Sequence, residues 1–280
     1  MRIKVLSDST CDLSAQLIAE NNIGIIPLTV LNETGEYKDG ISITPTDIFA
    51  HVDAGGALFS TSAVSVGEYM EHFAKYASEY DAIIHINIGS GFSACNQNAR
   101  LAAEEFNNVY VIDSKNLSTG QGLVVLKACE LAASDLPVDR ICDVLAQFTE
   151  RVEASFLLDR LDYMVKGGRC SSAAALGANL LNLKPCIEVR DGKMSVVKKY
   201  RGSLAKCLTA YVKDRLENTA RLDNGTIFIT HTPVNDACLE AVESAVKGYD
   251  FFKHIYETNA GCTVSCHCGP GTLGILFVRK

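Results

Sequence analysis

The residues best suited to chemistry are Gly89-Ser90-Gly91-Phe92-Ser93, which follow an apolar run from Ala82 to Ile88 and open a helical stretch to Phe106. In a parallel α/β sheet, ligands sit at the carboxyl ends of strands. Two glycines let backbone approach a guest closely, and a helix N-terminus offers free N–H groups and a positive dipole end. With the Ser93 hydroxyl at that spot, the natural guest is a carboxylate or a phosphate. The same residues read equally well as a plain serine cap beside a tight turn. Ser60-Thr61-Ser62 and Ser65 form a second hydroxyl cluster. Ser65 with Glu68 spells a capping box for a helix through about Ala77, which accounts for Ser65 without any ligand.

Near the C-terminus, Cys262-Thr263-Val264-Ser265-Cys266-His267-Cys268 offers thiols and an imidazole, the usual zinc donors. The segment reads as a strand. Alternation then puts Cys266 and Cys268 on one face and His267 on the other, so no metal centre is expected. His267 is either a satisfied core histidine or a donor to a buried anion. Gly269-Pro270-Gly271-Thr272-Leu273-Gly274 spells G-x-G-x-x-G but leads into a last strand, so it reads as a turn that positions His267. Gly91-Phe92-Ser93-Ala94-Cys95 approaches the nucleophile elbow G-x-S-x-G, with Cys95 in place of the final glycine. Asp8 and Asp113 each follow a strand, as an acid, a hydroxyl orienter or a turn former. One alternative is therefore a serine hydrolase, with Ser93 as nucleophile, His267 as base and Asp113 or Asp8 behind it. Another is a regulatory module whose pocket senses a metabolite.

The elements that must position these residues alternate in the first half. Ile3 to Leu6, Ile23 to Leu31, Ala82 to Ile88 and Val109 to Ile112 read as strands, with Pro27 marking a bend. Asp12 reads as the cap of a helix through Ala19, Thr44-Pro45 as a helix start, and Gly120 to Ala133 as a helix. Strands separated by helices predict a parallel sheet wound with helices. Past about Ala154 strands dominate. Phe156 to Leu158 is followed by a helix ending at Gly167-Gly168. Cys186 to Val189 and Met194 to Lys199 flank the hairpin signal Arg190-Asp191-Gly192-Lys193. Thr226 to Thr230, Phe252 to Glu257, Cys262 to His267 and Leu273 to Val278 complete a mixed or antiparallel sheet with helices. The expected fold is α/β with two domains, residues 1–154 and 155–280.

Length and composition bound the function. The chain of 280 residues carries a formal net charge of -7, and no basic cluster suits phosphate backbones, so nucleic acid is not an expected partner. No apolar run reaches the length of a bilayer span, so no integral membrane segment is expected. Met1-Arg2-Ile3-Lys4 runs straight into a strand with no leader-like pattern. The 11 cysteines are scattered and odd in number, which reads as reduced thiols in a cytoplasm.

Taken together, Ser7-Asp8-Ser9-Thr10-Cys11-Asp12-Leu13, Thr61-Ser62, Ser90-Gly91-Phe92-Ser93, Val111-Ile112-Asp113-Ser114, Lys166-Gly167-Gly168-Arg169 and His267-Cys268-Gly269-Pro270-Gly271 resemble, in order and spacing, the motifs of the DegV family. That family is similar to the fatty-acid-binding subunit of bacterial fatty acid kinase, which carries one acyl chain while a separate ATP-using subunit phosphorylates its carboxylate. The resemblance implies a DegV-type fold with the ligand between two domains. It implies a long-chain fatty acid as ligand, no cofactor, no catalysis by this chain, and a kinase partner feeding phospholipid synthesis. It implies that Thr61 and Ser93 hydrogen-bond the carboxylate with His267 nearby, that Ser62, Gly91 and Phe92 belong to the same site, and that Arg169 and Arg201 work with the kinase. Ala63-Val64 and Ala94-Cys95 depart from the family's usual Q-P and G-T.

Overall fold

The computed structural model describes residues 1–176 and 183–280. In chain order the strands and helices of the first half are β1 (Ile3–Asp8), α1 (Ala15–Glu20), β2 (Gly24–Ile26), β3 (Thr29–Asn32), β4 (Gly35–Lys38), α2 (Pro45–Asp53), β5 (Ser60–Ser62), α3 (Val66–Ala77), β6 (Ala82–Asn87), α4 (Cys95–Ala103), β7 (Val109–Asp113), α5 (Ser118–Ala132) and α6 (Val138–Thr149). β2, β1, β6 and β7 form a four-stranded parallel sheet in that order. β6 is buried along its whole length, as its nearly unbroken apolar run predicts for a central parallel strand. β4, β3 and β5 make a small antiparallel sheet beside it. Thr44 and Ser65 close reciprocal capping boxes with Asp47 and Glu68, starting α2 and α3 where the sequence places them.

The second half comprises β8 (Val152–Leu157), α7 (Asp162–Gly167), α8 (Ser171–Ala174), β9 (Leu183–Arg190), β10 (Lys193–Arg201), α9 (Leu204–Leu216), β11 (Leu222–His231), α10 (Asp236–Lys247), β12 (His254–Asn259), α11 (Cys262–Cys268) and β13 (Leu273–Arg279). Six strands pair in the order β10-β9-β8-β13-β11-β12, all antiparallel except β11 with β12. The β9–β10 turn takes φ of 51° at Asp191 and 69° at Gly192, the two positive angles of a tight hairpin. The chain is thus α/β, with a wound parallel sheet followed by a mixed sheet with helices. Among the described residues no helix is long and apolar enough to cross a membrane.

One apolar core joins the two sheets, with Val5 and Ile84 packed in the same cluster as Phe156 and Leu276. A second core lies between the mixed sheet and α9 and α10, around Leu208, Val242 and Phe277. A third surrounds α11 and the small sheet, with Val30, Ile48, Tyr163, Cys262 and Cys266.

Two local expectations are corrected. Residues 262–268 form a helix, not a strand. Their β-branched and cysteine content favours neither helix nor local capping, and the N-cap is Gly261, which has no side chain to lend. The free N–H groups go instead to distant carboxylates: Gly261 to Asp12 (2.9 Å), and Cys262 and Thr263 to Asp39 (2.8 and 3.2 Å). Asp12 accordingly does not cap α1. Ser14 does, accepting from the Leu17 N–H, while Asp12 sits in the left-handed region with φ of 49°.

Candidate functional site: a cavity between loop and helix

A cavity of about 560 Å³, counting the open space at its mouth, lies where the β6–α4 loop faces α11. Its walls are mostly apolar, with Leu28, Ile88, Phe92, Leu117, Met164, Met194 and Val264 among them. Its polar groups are few: Thr61 and Ser62 from β5, Ser93 from the loop, Arg169 after α7, and Thr263 and His267 from α11.

His267 Nε2 lies 2.8 Å from Thr61 Oγ1. Burial, with the Arg169 charge nearby adding to it, pulls the imidazole down to about 4, so the ring is neutral at pH 7. Its Nδ1 is buried with no hydrogen-bond partner among the described residues. A buried lone pair is cheaper to leave there than a buried N–H, so the proton belongs on Nε2, donated to Thr61. The Thr61 hydroxyl hydrogen is then free to donate into the cavity. Ser93 Oγ accepts from the Cys95 N–H (3.3 Å) and donates to Cys95 Sγ (3.2 Å), a weak acceptor from which the rotor turns easily. Arg169 donates from Nη1 to the Gly167 carbonyl at 2.6 Å, and its Nε lies 3.5 Å from the Phe92 carbonyl. A guanidinium therefore bridges the loop and α7 at the cavity wall. Two hydroxyls, a neutral imidazole and one fixed cation suit an anionic oxygen pair.

The loop that carries Ser93 is braced from below. Asp113 accepts from the Ser90 N–H (3.0 Å) and hydroxyl (2.6 Å), and Gly89 donates to the Asn116 carbonyl at 2.7 Å. Asp8, fully buried, accepts from the Ile88 N–H (3.0 Å) and the Tyr69 hydroxyl (2.7 Å). Gly91 faces the β9–β10 turn so closely that a Cβ there would overlap the Gly192 carbonyl oxygen.

A second cavity, of about 320 Å³ counting its open space, is lined by Phe156, Ala260, Gly274 and Leu276 among others. Leu117, Val264 and Cys268 line both. The two spaces adjoin across one apolar wall, at the junction of the two sheets.

A family model described as an uncharacterised protein of the DegV family matches residues 2–280. This chain belongs to the DegV family. It is 31% identical over 281 residues to a DegV domain-containing protein of Clostridium acetobutylicum, covering 100% of this chain and 99% of that one. Among solved structures it resembles a DegV family protein from Thermus thermophilus described for fatty acid binding, with 28% identity, full coverage of both chains and a TM-score of 0.92. It also resembles DegV from Bacillus subtilis, described as a fatty acid binding protein, with 26% identity, full coverage of both chains and a TM-score of 0.86.

Against this DegV frame, Thr61, Ser62, Phe92, Ser93 and His267 do line one cavity. Gly91 stands on the outer side of its loop, against the hairpin. Arg169, which the resemblance ties to the kinase, lies in the cavity wall, whereas Arg201 ends β10 on the exposed surface. Sequence does not single out Met164, Met194 and Val264, because apolar wall residues look the same as core. The hydrolase relay is not assembled. Among the described residues Ser93 bonds Cys95, His267 bonds Thr61, the far imidazole nitrogen has no partner, and Asp113 and Asp8 serve the loop. The thiols of Cys95, Cys266 and Cys268 are pushed up to about 12, chiefly by burial, so they are neutral and poor nucleophiles.

Proposed function

We propose that the protein binds one long-chain fatty acid between its two lobes and presents the carboxylate to a separate ATP-dependent kinase subunit, without catalysing that step itself. The observation that carries this reading is that Thr61, Ser93 and His267 line one mostly apolar cavity, with Thr61 and His267 hydrogen-bonded to each other, and that this cavity shares wall residues with a second. The fatty acid binding described for the Thermus thermophilus and Bacillus subtilis relatives supports the ligand class. The tail would run from the first cavity past Leu117, Val264 and Cys268 into the second. Burying the tail of a sixteen-carbon acid gains roughly 11 kcal/mol before entropy losses, at about 0.8 kcal/mol per methylene. Each hydrogen bond to the charged head adds about 1.5–3 kcal/mol. The tail therefore sets affinity and the hydroxyls set orientation.

The family resemblance implies a role toward the kinase for Arg169 and Arg201. For Arg169 we propose charge compensation of the carboxylate in the cavity it lines; Arg201 remains a candidate contact for the kinase. The lobes are proposed at about 1–154 and 155–280; that division falls inside β8, so the lobe change belongs just ahead of Val152. A cytoplasmic setting, with reduced thiols and an acyl phosphate product feeding phospholipid synthesis, completes the proposal.

The test is Ser93→Ala with purified kinase subunit and hexadecanoic acid. The expected result is an intact fold, fatty acid affinity lower by roughly tenfold, and slower acyl phosphate formation. Unchanged affinity and turnover would reject the head-group assignment. Labelling of Ser93 by a fluorophosphonate would favour the hydrolase instead.

A further inference from the structure

The seven residues of α11 supply four members of the cavity wall, Thr263, Val264, His267 and Cys268, yet their own sequence gives little reason for a helix. What holds the helix is Asp39, a carboxylate only 4% exposed, at the end of β4. Its Oδ1 accepts the Cys262 N–H at 2.8 Å. Its Oδ2 accepts the Thr263 N–H at 3.2 Å, the Thr263 hydroxyl at 2.7 Å and the Ser9 hydroxyl at 3.0 Å. A carboxylate at this end of a helix also meets the positive end of its dipole. Asp12 stands beside it, accepting the Gly261 N–H at 2.9 Å and the Ser118 hydroxyl at 2.6 Å.

The register of the small sheet gives this contact its consequence. Thr29 pairs with Lys38 on one side and with Ser62 on the other. Asp39 is one residue past Lys38 and Thr61 one residue before Ser62, so both belong to one three-stranded unit. That unit grips α11 twice: Asp39 holds Thr263, and Thr61 holds His267. Thr263 and His267 are four residues apart and so share one face of the helix. A short helix held at one point can still pivot; held at two points, from β5 and from the residue that follows β4, it is restrained.

We propose that Asp39 is a positioning residue for the head-group site, fixing α11 so that His267 meets Thr61 and leaves the Thr61 hydroxyl free to face the ligand. This rests on the reading that Thr61 and His267 hold a carboxylate.

The experiment compares the wild-type full chain with Asp39→Asn, which keeps the shape but turns an amide N–H toward backbone N–H donors. Affinities for hexadecanoic acid and hexadecan-1-ol are measured, and the His267 imidazole ¹⁵N signals are followed, assigned by their loss in His267→Gln. The acid should bind the variant roughly tenfold more weakly, the alcohol nearly as before, and the His267 signals should move without ligand. Equal loss of both ligands would mark Asp39 as a general structural residue and overturn the proposal. So would unmoved His267 signals with the acid preference intact. If wild type itself binds acid and alcohol alike, the carboxylate reading fails, and the ligand-free imidazole signals still decide whether Asp39 positions His267. Should Asp39→Asn not fold, Ser9→Ala removes one donor to Asp39 away from the helix. Roughly two- to threefold acid-selective weakening is then expected, and none would overturn the proposal.

Discussion

The loop from Gly89 to Ser93 and the helix α11 face each other across the cavity, but their supports come from different distances along the chain. The loop is the direct continuation of β6 and is braced by Asp113 and Asn116, about one βα unit away, while Asp8 and the Gly192 turn meet it from farther off in the chain. The helix owes its first turn to Asp12 and Asp39, which stand more than 200 residues earlier. One side of the site continues a strand and is braced in part nearby; the first turn of the other depends wholly on remote carboxylates. Substitutions that strike each side separately should therefore separate fold from head-group recognition.

The largest effect is expected at Gly91 on the loop side. Gly91→Ala forces the loop away from the Gly192 carbonyl, a backbone atom that cannot swing aside. It should cost about 1–3 kcal/mol of stability, as overpacking does, measured by urea unfolding. An unchanged midpoint would mean that loop and hairpin are not in firm contact.

On the helix side, Gly167→Ala places a methyl group against His267 Nδ1. The imidazole must move off Thr61, so hexadecanoic acid affinity should fall roughly tenfold while urea stability changes less than in Gly91→Ala. If both variants lose stability and acid affinity in the same proportion, the two sides are not separable.

The smallest effect is a pH trend. Burial raises Asp12 from 3.8 to about 8 and lowers His267 from 6.5 to about 4. The raised carboxyl gives stability that is complete below pH 3.8 and is lost as pH rises through about 8. The depressed imidazole gives stability that is complete above pH 6.5 and is lost as pH falls through about 4. The two trends oppose each other between those limits. From pH 6.5 to 8 the Asp12 trend stands alone, so the melting temperature should drift down, and Asp12→Asn should flatten that drift. A drift of equal slope in the variant would place its origin elsewhere.

The same contrast explains what the sequence could reveal. The helix start at Thr44, the capping box at Ser65, the Asp191-Gly192 hairpin and the Gly89–Ser93 loop after β6 are signalled by residues near one another in the chain, and each stands where the sequence places it; the parallel sheet, whose strands pair across long stretches of chain, follows from their alternation with helices. Residues 262–268 were legible as important but not as helical, because the carboxylates that satisfy their N–H groups are remote. The metal argument drawn from strand alternation loses its footing with the strand. In the helix, Cys262 and Cys266 turn into the core around Tyr163, while His267 turns to Thr61. Arg169 was legible as a functional residue. Its place in the cavity wall followed only from how Gly167 and Gly168, the latter at φ of 70°, end α7.

The claim beneath all of this is that the paired cavities hold an acyl chain whose acid group lies against Thr61 and Ser93. Native mass spectrometry of freshly purified protein, followed by identification of what is released, tests it most directly. One long-chain fatty acid per protein, reduced in Thr61→Val/Ser93→Ala, is the predicted result. A protein that carries no acyl chain, and takes up none when hexadecanoic acid is supplied, would contradict it.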